Sequence, residues 1–163
     1  MPNGPEQSYY SQQRPLIGLK QAITWAEGPD TSDPGYVRSM VDLAMQQLQT
    51  QGFPEAKTTT AKPLGQFGKF AWPGALALAN PFTGHIKYDE ENMRHLPPGE
   101  IADTMAHELT HTRQIRNTPW YKRPFAYTTQ TGTEYRQRPW EKEAYATEGR
   151  RKAARRDIQL PSE

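Results

Sequence analysis

Thr104–Ile115 of this 163-residue chain reads TMAHELTHTRQI. Ile101, Met105, Leu109 and Thr112 recur at i, i+4, i+8 and i+11, the spacing of one buried stripe on an α-helix. Pro97-Pro98 opens that helix, and it ends by about Arg116, ahead of Pro119. Within it, His107 and His111 form a His-Glu-x-x-His run. Residues four apart on a helix stand one above the other, about 5–6 Å apart, so both imidazoles can reach one tetrahedral ion at roughly 2.0–2.1 Å. Glu108 is turned by about 100° from His107 and stands beside such an ion rather than on it. There it can take a proton from a water on the metal and hand it to a leaving amine. With four His and twelve Glu in the chain, chance supplies such a run about 0.007 times, so an incidental histidine pair is the weaker reading.

The rest of the composition narrows the site further. The chain has no Cys, which excludes a disulfide scaffold and a thiolate zinc site and leaves His and carboxylates as metal ligands. An extended His-Glu-x-x-His-x-x-Gly-x-x-His pattern would need Gly at 114 and His at 117, where the chain has Gln114 and Asn117. The other histidines, His85 and His95, precede the run and read as a strand-rim and a loop residue. A downstream carboxylate is therefore the better third ligand. Pro139 opens a last helix, to about Arg156, with Glu141 and Glu143 in its first turn. Acids there also suit the helix dipole for purely structural reasons. Two helical steps turn Glu143 by about 200° from Glu141, so only one of them can face the metal.

Outward from this helix pair the chain organises into one domain with appendages. Leu, Ile, Val and Phe together make up only about 14% of it, and four Trp and eight Tyr supply apolar area besides. Residues 1–32 are rich in Pro, Gln, Gly and Ser and read as an extended arm able to make assembly contacts. Residues 33–157 read as the domain and 158–163 as a tail. Asp33-Pro34 starts a helix whose apolar positions are Val37, Met40, Val41, Ala44, Met45 and Leu48, and Gly52 stops it. Phe53–Thr60 suits a strand. Ala75–Asn80, the turn Pro81-Phe82-Thr83-Gly84 and His85–Asp89 read as a β-hairpin. Thr118–Thr133 reads as a long loop. Its aromatics, Trp120, Tyr121, Phe125 and Tyr127, suit either a satellite core or a specificity pocket. The expected class is α+β: a small twisted sheet on a metal-holding helix, followed by a second helix with the third ligand.

The combination of His-Glu-Leu-Thr-His, Gln114 and a later Tyr-x-x-x-Pro-x-Glu-x-Glu-Ala resembles the small gluzincin-type zinc metallopeptidases, including minimal forms in bacteria and phages. The resemblance covers roughly residues 75–150. It implies a zincin-like fold and Zn²⁺ as cofactor. Counting three positions back from Ala144 makes Glu141 the third ligand beside His107 and His111, with Glu143 the alternative. Relatives often follow that Ala with Asp, which supports a ligating His; this chain has Tyr145, and Tyr145 and Glu148 share the Glu141 face. The resemblance also implies that a peptide substrate binds as an added strand on a sheet edge above the active-site helix. His85–Asp89 occupies that place, making His85, Ile86, Lys87 and Tyr88 the expected substrate-binding residues. Tyr121, Tyr127 and Tyr135 are candidates to stabilise the oxyanion.

The expected function is zinc-dependent hydrolysis of peptide bonds with Glu108 as general base. One alternative is a structural or virion-associated component that keeps the fold. Another is a nucleic-acid-tethered protease, because residues 113–156 hold twelve of the 20 Lys and Arg and four of the 18 acids. The run Gly149–Arg156, GRRKAARR, is the densest part; its plainer reading is a solvated helix with cations near its C-terminus. No run approaches a membrane span and no standard secretory signal is visible, which suits a cytoplasmic or virion-associated protein.

Overall fold

The computed structural model describes residues 32–71, 73–123, 126 and 135–159, without the side chains of 67, 135 and 155–159. The expected arm, up to residue 31, lies outside the described residues. Backbone contacts divide the chain into Met1–Tyr36 and Val37–Glu163. In the first unit the Asp33 carboxylate accepts from the Gly35 N–H at 2.7 Å, and the Asp33 carbonyl accepts from the Tyr36 N–H.

The described chain is mixed α and β, with helices α1 (Tyr36–Thr50), whose first residue closes the first unit, and, within the second unit, α2 (Gln66–Ala71), α3 (Glu90–Met93), α4 (Pro98–Asn117) and α5 (Pro139–Gln159). Its strands are β1 (Ala61–Pro63), β2 (Ala77–Ala79) and β3 (Ile86–Tyr88). On α1, Val37, Val41, Ala44, Met45 and Leu48 are buried as their spacing predicts, while Met40 is only half-buried. Phe53–Thr60 is not a strand. Pro54 instead begins a 3-10 turn, Pro54–Lys57, and the hydroxyls of Thr58 and Thr59 both donate back to the Glu55 carbonyl. Those side-chain bonds hold the Thr run in a turn despite its β propensity, and pairing begins only at Ala61.

The sheet order is β1-β3-β2, with β1 parallel and β2 antiparallel to β3. The β2–β3 hairpin forms where expected. Asn80 organises its turn, its side chain accepting from the N–H groups of Phe82 and Thr83 and its carbonyl from Gly84. Gly84 has φ +70°, and a Cβ there would lie 3.2 Å from Thr112 Cγ2. Glycine thus serves both the backbone conformation and the close approach to α4. The Thr112 hydroxyl donates to the Gly84 carbonyl at 2.7 Å and anchors the hairpin on that helix.

Helix α4 is the central element, packed against β2, β3, the 3-10 turn and α5. The stripe Ile101, Met105, Leu109 and Thr112 is fully buried, but so are most residues from Ile101 to Ile115, polar ones included. Helix α5 follows α4 in the reverse direction: Arg151 pairs with Asp103 near one end, and Gln114 meets Trp140 and Glu143 near the other. It runs to Gln159, three residues past the expected end. Of the expected loop 118–133, Trp120–Lys122 forms a 3-10 turn, and most of the rest lies outside the described residues. Among the described residues no helix is long and apolar enough to cross a membrane.

Thr112→Val, which preserves shape but leaves the Gly84 carbonyl without its donor, should cost about 1–3 kcal/mol in urea unfolding. Thr104→Val, on a half-buried position of the same helix, should change stability by no more than about 0.5 kcal/mol.

Candidate metal centre

Two facing helices assemble the site. Helix α4 stacks His107 and His111 four residues apart, so that their Nε2 atoms approach to 3.2 Å with ring planes at 74°. Helix α5 brings Glu141 to both: Oε2 lies 3.4 Å from His107 Nε2, and Oε1 lies 3.4 Å from His111 Nε2. The Glu141 residue is only 2% exposed. Donors at 2.0–2.1 Å from a tetrahedral ion stand about 3.3–3.4 Å apart by geometry. The two nitrogens come close to that spacing, and each Glu141 oxygen meets it toward one histidine only. Taking one ligand atom from each residue, His107, His111 and Glu141 lie within 4.8 Å of one another and form a triad able to hold a metal ion. Glu143, the alternative ligand, points elsewhere: it accepts from Gln114 Nε2 at 2.7 Å and pairs with Arg113.

Each imidazole also has an outer neighbour. His111 Nδ1 lies 2.9 Å from Gln114 Oε1, and the Gln114 amide in turn donates to Glu143 and to the Trp140 carbonyl. In the sequence, Gln114 excludes the extended three-histidine pattern and forms part of the resemblance, but has no role beside His111. Its position three residues after His111, on the same face, was the signal for this role. His107 Nδ1 lies 3.4 Å from Glu148 Oε2, and the Tyr145 ring stands edge-on to His107 at 4.8 Å. The Arg136 guanidinium lies 5.3 Å from the centre of that Tyr145 ring.

The electrostatics follow from burial. Loss of water would push the His111 imidazole down. Glu141, Glu108 and the Gln114 contact outweigh it and hold His111 above the ordinary histidine range. Burial raises the Glu108 carboxyl above its usual range, against the lowering effects of His111 and His107; Glu141 adds to the rise, and a hydrogen bond from the Ala79 backbone opposes it. That last contact brings β2 to Glu108. The Asn80 N–H bonds to His85 and the Asp89 N–H to Leu76. By antiparallel alternation, Ala77 and Ala79 then turn their N–H groups to the outer edge.

The expectation that His85–Asp89 offers a free edge is corrected here. Strand β3 is the middle strand, with Ile86, Lys87 and Tyr88 paired to β1 on one side and β2 on the other. An added strand needs unpaired backbone groups, and β3 has partners on both sides. Ile86 and Tyr88 are buried in the core, Lys87 is exposed, and His85 Nδ1 accepts from the Thr60 N–H at 3.2 Å. The outer edge beside Glu108 belongs to β2.

Other expected residues fall outside the cluster. Trp120 and Tyr121 are 77% and 57% exposed, so neither is satellite core. Phe125, Tyr127 and the Tyr135 side chain lie outside the described residues. In the basic run, Arg150 donates to Thr147, Arg151 to Asp103 and Gln51, and Lys152 pairs with Glu148. These three cations have intramolecular partners.

In comparisons with known proteins, no family model, no curated protein and no solved structure matches the chain.

If the triad holds a metal, free Zn²⁺ at a hundred times its dissociation constant should stabilise the chain by about 2.7 kcal/mol in thermal unfolding. His111→Ala should abolish that shift, and a chelator should remove it from the parent.

Proposed function

We propose that this chain is a zinc-dependent metallopeptidase of minimal zincin-like type. One arrangement carries the reading: two imidazoles and a buried carboxylate converge closely enough to share one ion, with Glu108 beside them against a strand edge. His107, His111 and Glu141 would hold the ion; two nitrogens and a carboxylate suit Zn²⁺ better than they suit Mg²⁺ or Ca²⁺. When bound, the ion would supply Lewis acidity toward a carbonyl and acidify water.

The chain's own residues do the remainder. Glu108 accepts the proton of the attacking water and returns it to the leaving amine. A carboxyl raised by burial is better matched to both transfers near neutral pH than an ordinary glutamate. The outer edge of β2 orients the substrate, because an extended peptide can pair with the backbone groups that Ala77 turns outward, while the Ala79 N–H is held by Glu108. The Gly84–Thr112 anchor fixes the distance between that edge and α4, and hence between substrate backbone and general base. The resemblance of His107–His111 and Tyr135–Ala144 to small gluzincin-type peptidases supports the same chemistry.

Glu108→Gln removes the base and keeps the side-chain volume. It should bind zinc as the parent does and cleave an unfolded protein or a mixed peptide library at least about a hundredfold more slowly. Cleavage at the parental rate, with zinc bound, would refute the proposed role of Glu108.

A further inference from the structure

Resting on that metal reading, we infer that Glu148, held by Lys152, is the positioning carboxylate of His107 and fixes it in the tautomer that ligates through Nε2. The two histidines have chemically different surroundings. Behind His111 stands the neutral amide oxygen of Gln114. Behind His107 stands a carboxylate. His107 Nδ1 is buried and has no hydrogen-bond partner among the described residues, and Glu148 Oε2 lies 3.4 Å from it, the distance of an ion-pair approach. A neutral imidazole has one N–H and one lone pair. A carboxylate accepts but cannot donate, so the proton belongs on Nδ1 and the lone pair on Nε2, the atom that faces His111 and Glu141.

The helical arithmetic explains why Glu148 reaches. Residues 141 and 148 are seven apart, nearly two full turns, and share a face of α5. The His107 ring therefore spans two carboxylates of one helix: Glu141 at Nε2 and Glu148 at Nδ1. Tyr145 lies between them in sequence and packs its ring edge-on against the imidazole. It limits ring rotation and leaves Nδ1 to Glu148. Lys152, one turn further on, bonds the other Glu148 oxygen, Oε1. That contact restrains the carboxylate in the rotamer that faces His107. An outer carboxylate of this kind strengthens its histidine as a donor and removes the freedom to flip.

The test uses the full chain and Zn²⁺ alone. Zinc affinity is measured by chelator competition, and the His107 ring nitrogens are followed by ¹⁵N NMR. Glu148→Gln should weaken zinc binding about 10–100-fold, the usual effect of losing such a partner. It should also move the Nδ1 proton resonance of His107 while leaving that of His111 in place. Glu148→Asp should recover part of the affinity. Lys152→Met should weaken binding by less than Glu148→Gln, and should add nothing in the Glu148→Gln background. A Glu148→Gln chain with parental circular dichroism, zinc affinity within about twofold and an unshifted Nδ1 signal would overturn the assignment. If Lys152→Met lowers thermal stability but leaves affinity unchanged, its part in the assignment falls and it is only a helix-surface pair. A parent chain that takes up no zinc would overturn the metal reading and this inference together. A parent that binds zinc, with Glu148→Gln binding equally, overturns this inference alone.

Discussion

The interaction on which this structure depends is the contact of two imidazoles with one carboxylate between α4 and α5. His107, His111 and Glu141 are all buried, and burial of such groups is unfavourable unless they meet one another or a metal. Their demand for partners explains why α4 is polar along much of its buried length. It also explains why α5, although its exposed face is strongly charged, keeps Glu141, Ala144 and Thr147 against α4. Apolar packing by Ile101, Met105 and Leu109 supplies the compactness. The polar contacts supply the register, because sliding one helix along the other by one residue would carry Glu141 away from both histidines.

The sheet is small and its role is mainly geometric. Three strands of three residues contribute little core, yet they decide which backbone edge stands beside Glu108. Strand order matters more than strand identity here. Placing β3 in the middle secures the hairpin to β1 and to α4 and gives the outer position to β2. The Ala79 contact then ties that edge to the side chain that would act as base. A turn built on Asn80 and Gly84 and a hydroxyl on Thr112 transmit the position of one element to the other.

Much of this was legible in the residues alone, for identifiable reasons. The helix pair was readable because proline marks its starts and apolar spacing marks its faces. The histidine pair was readable because four-residue spacing on a helix leaves few alternatives. Choosing Glu141 over Glu143 rested on resemblance in the sequence, and the α5 rotation separates them in space. Strand order was not readable: a hairpin pattern shows which segments pair but not which of them a third, parallel strand covers. That third strand was itself hidden, since Ala61–Pro63 has no alternation and follows threonines whose hydroxyls bond backward. The contacts of Gln114 and Glu148 depend on rotamers and on α5 facing α4, which one-dimensional spacing restricts without choosing.

The ion pair of Asp103 with Arg151 bears on how the donors come to be aligned. Arg151 also reaches Gln51 just beyond α1, so this end of the helix pair is fastened by a three-residue bridge. The other end is fastened by Gln114 through Trp140 and Glu143. A pair of rods pinned at both ends has little freedom to splay between the pins, where both histidines stand, and Glu141 lies at one of the pins. The ordering cost of gathering three ligands is then met by folding rather than by the ligand that arrives. Such a scaffold is preorganised: an ion bound there would not have to draw the helices together.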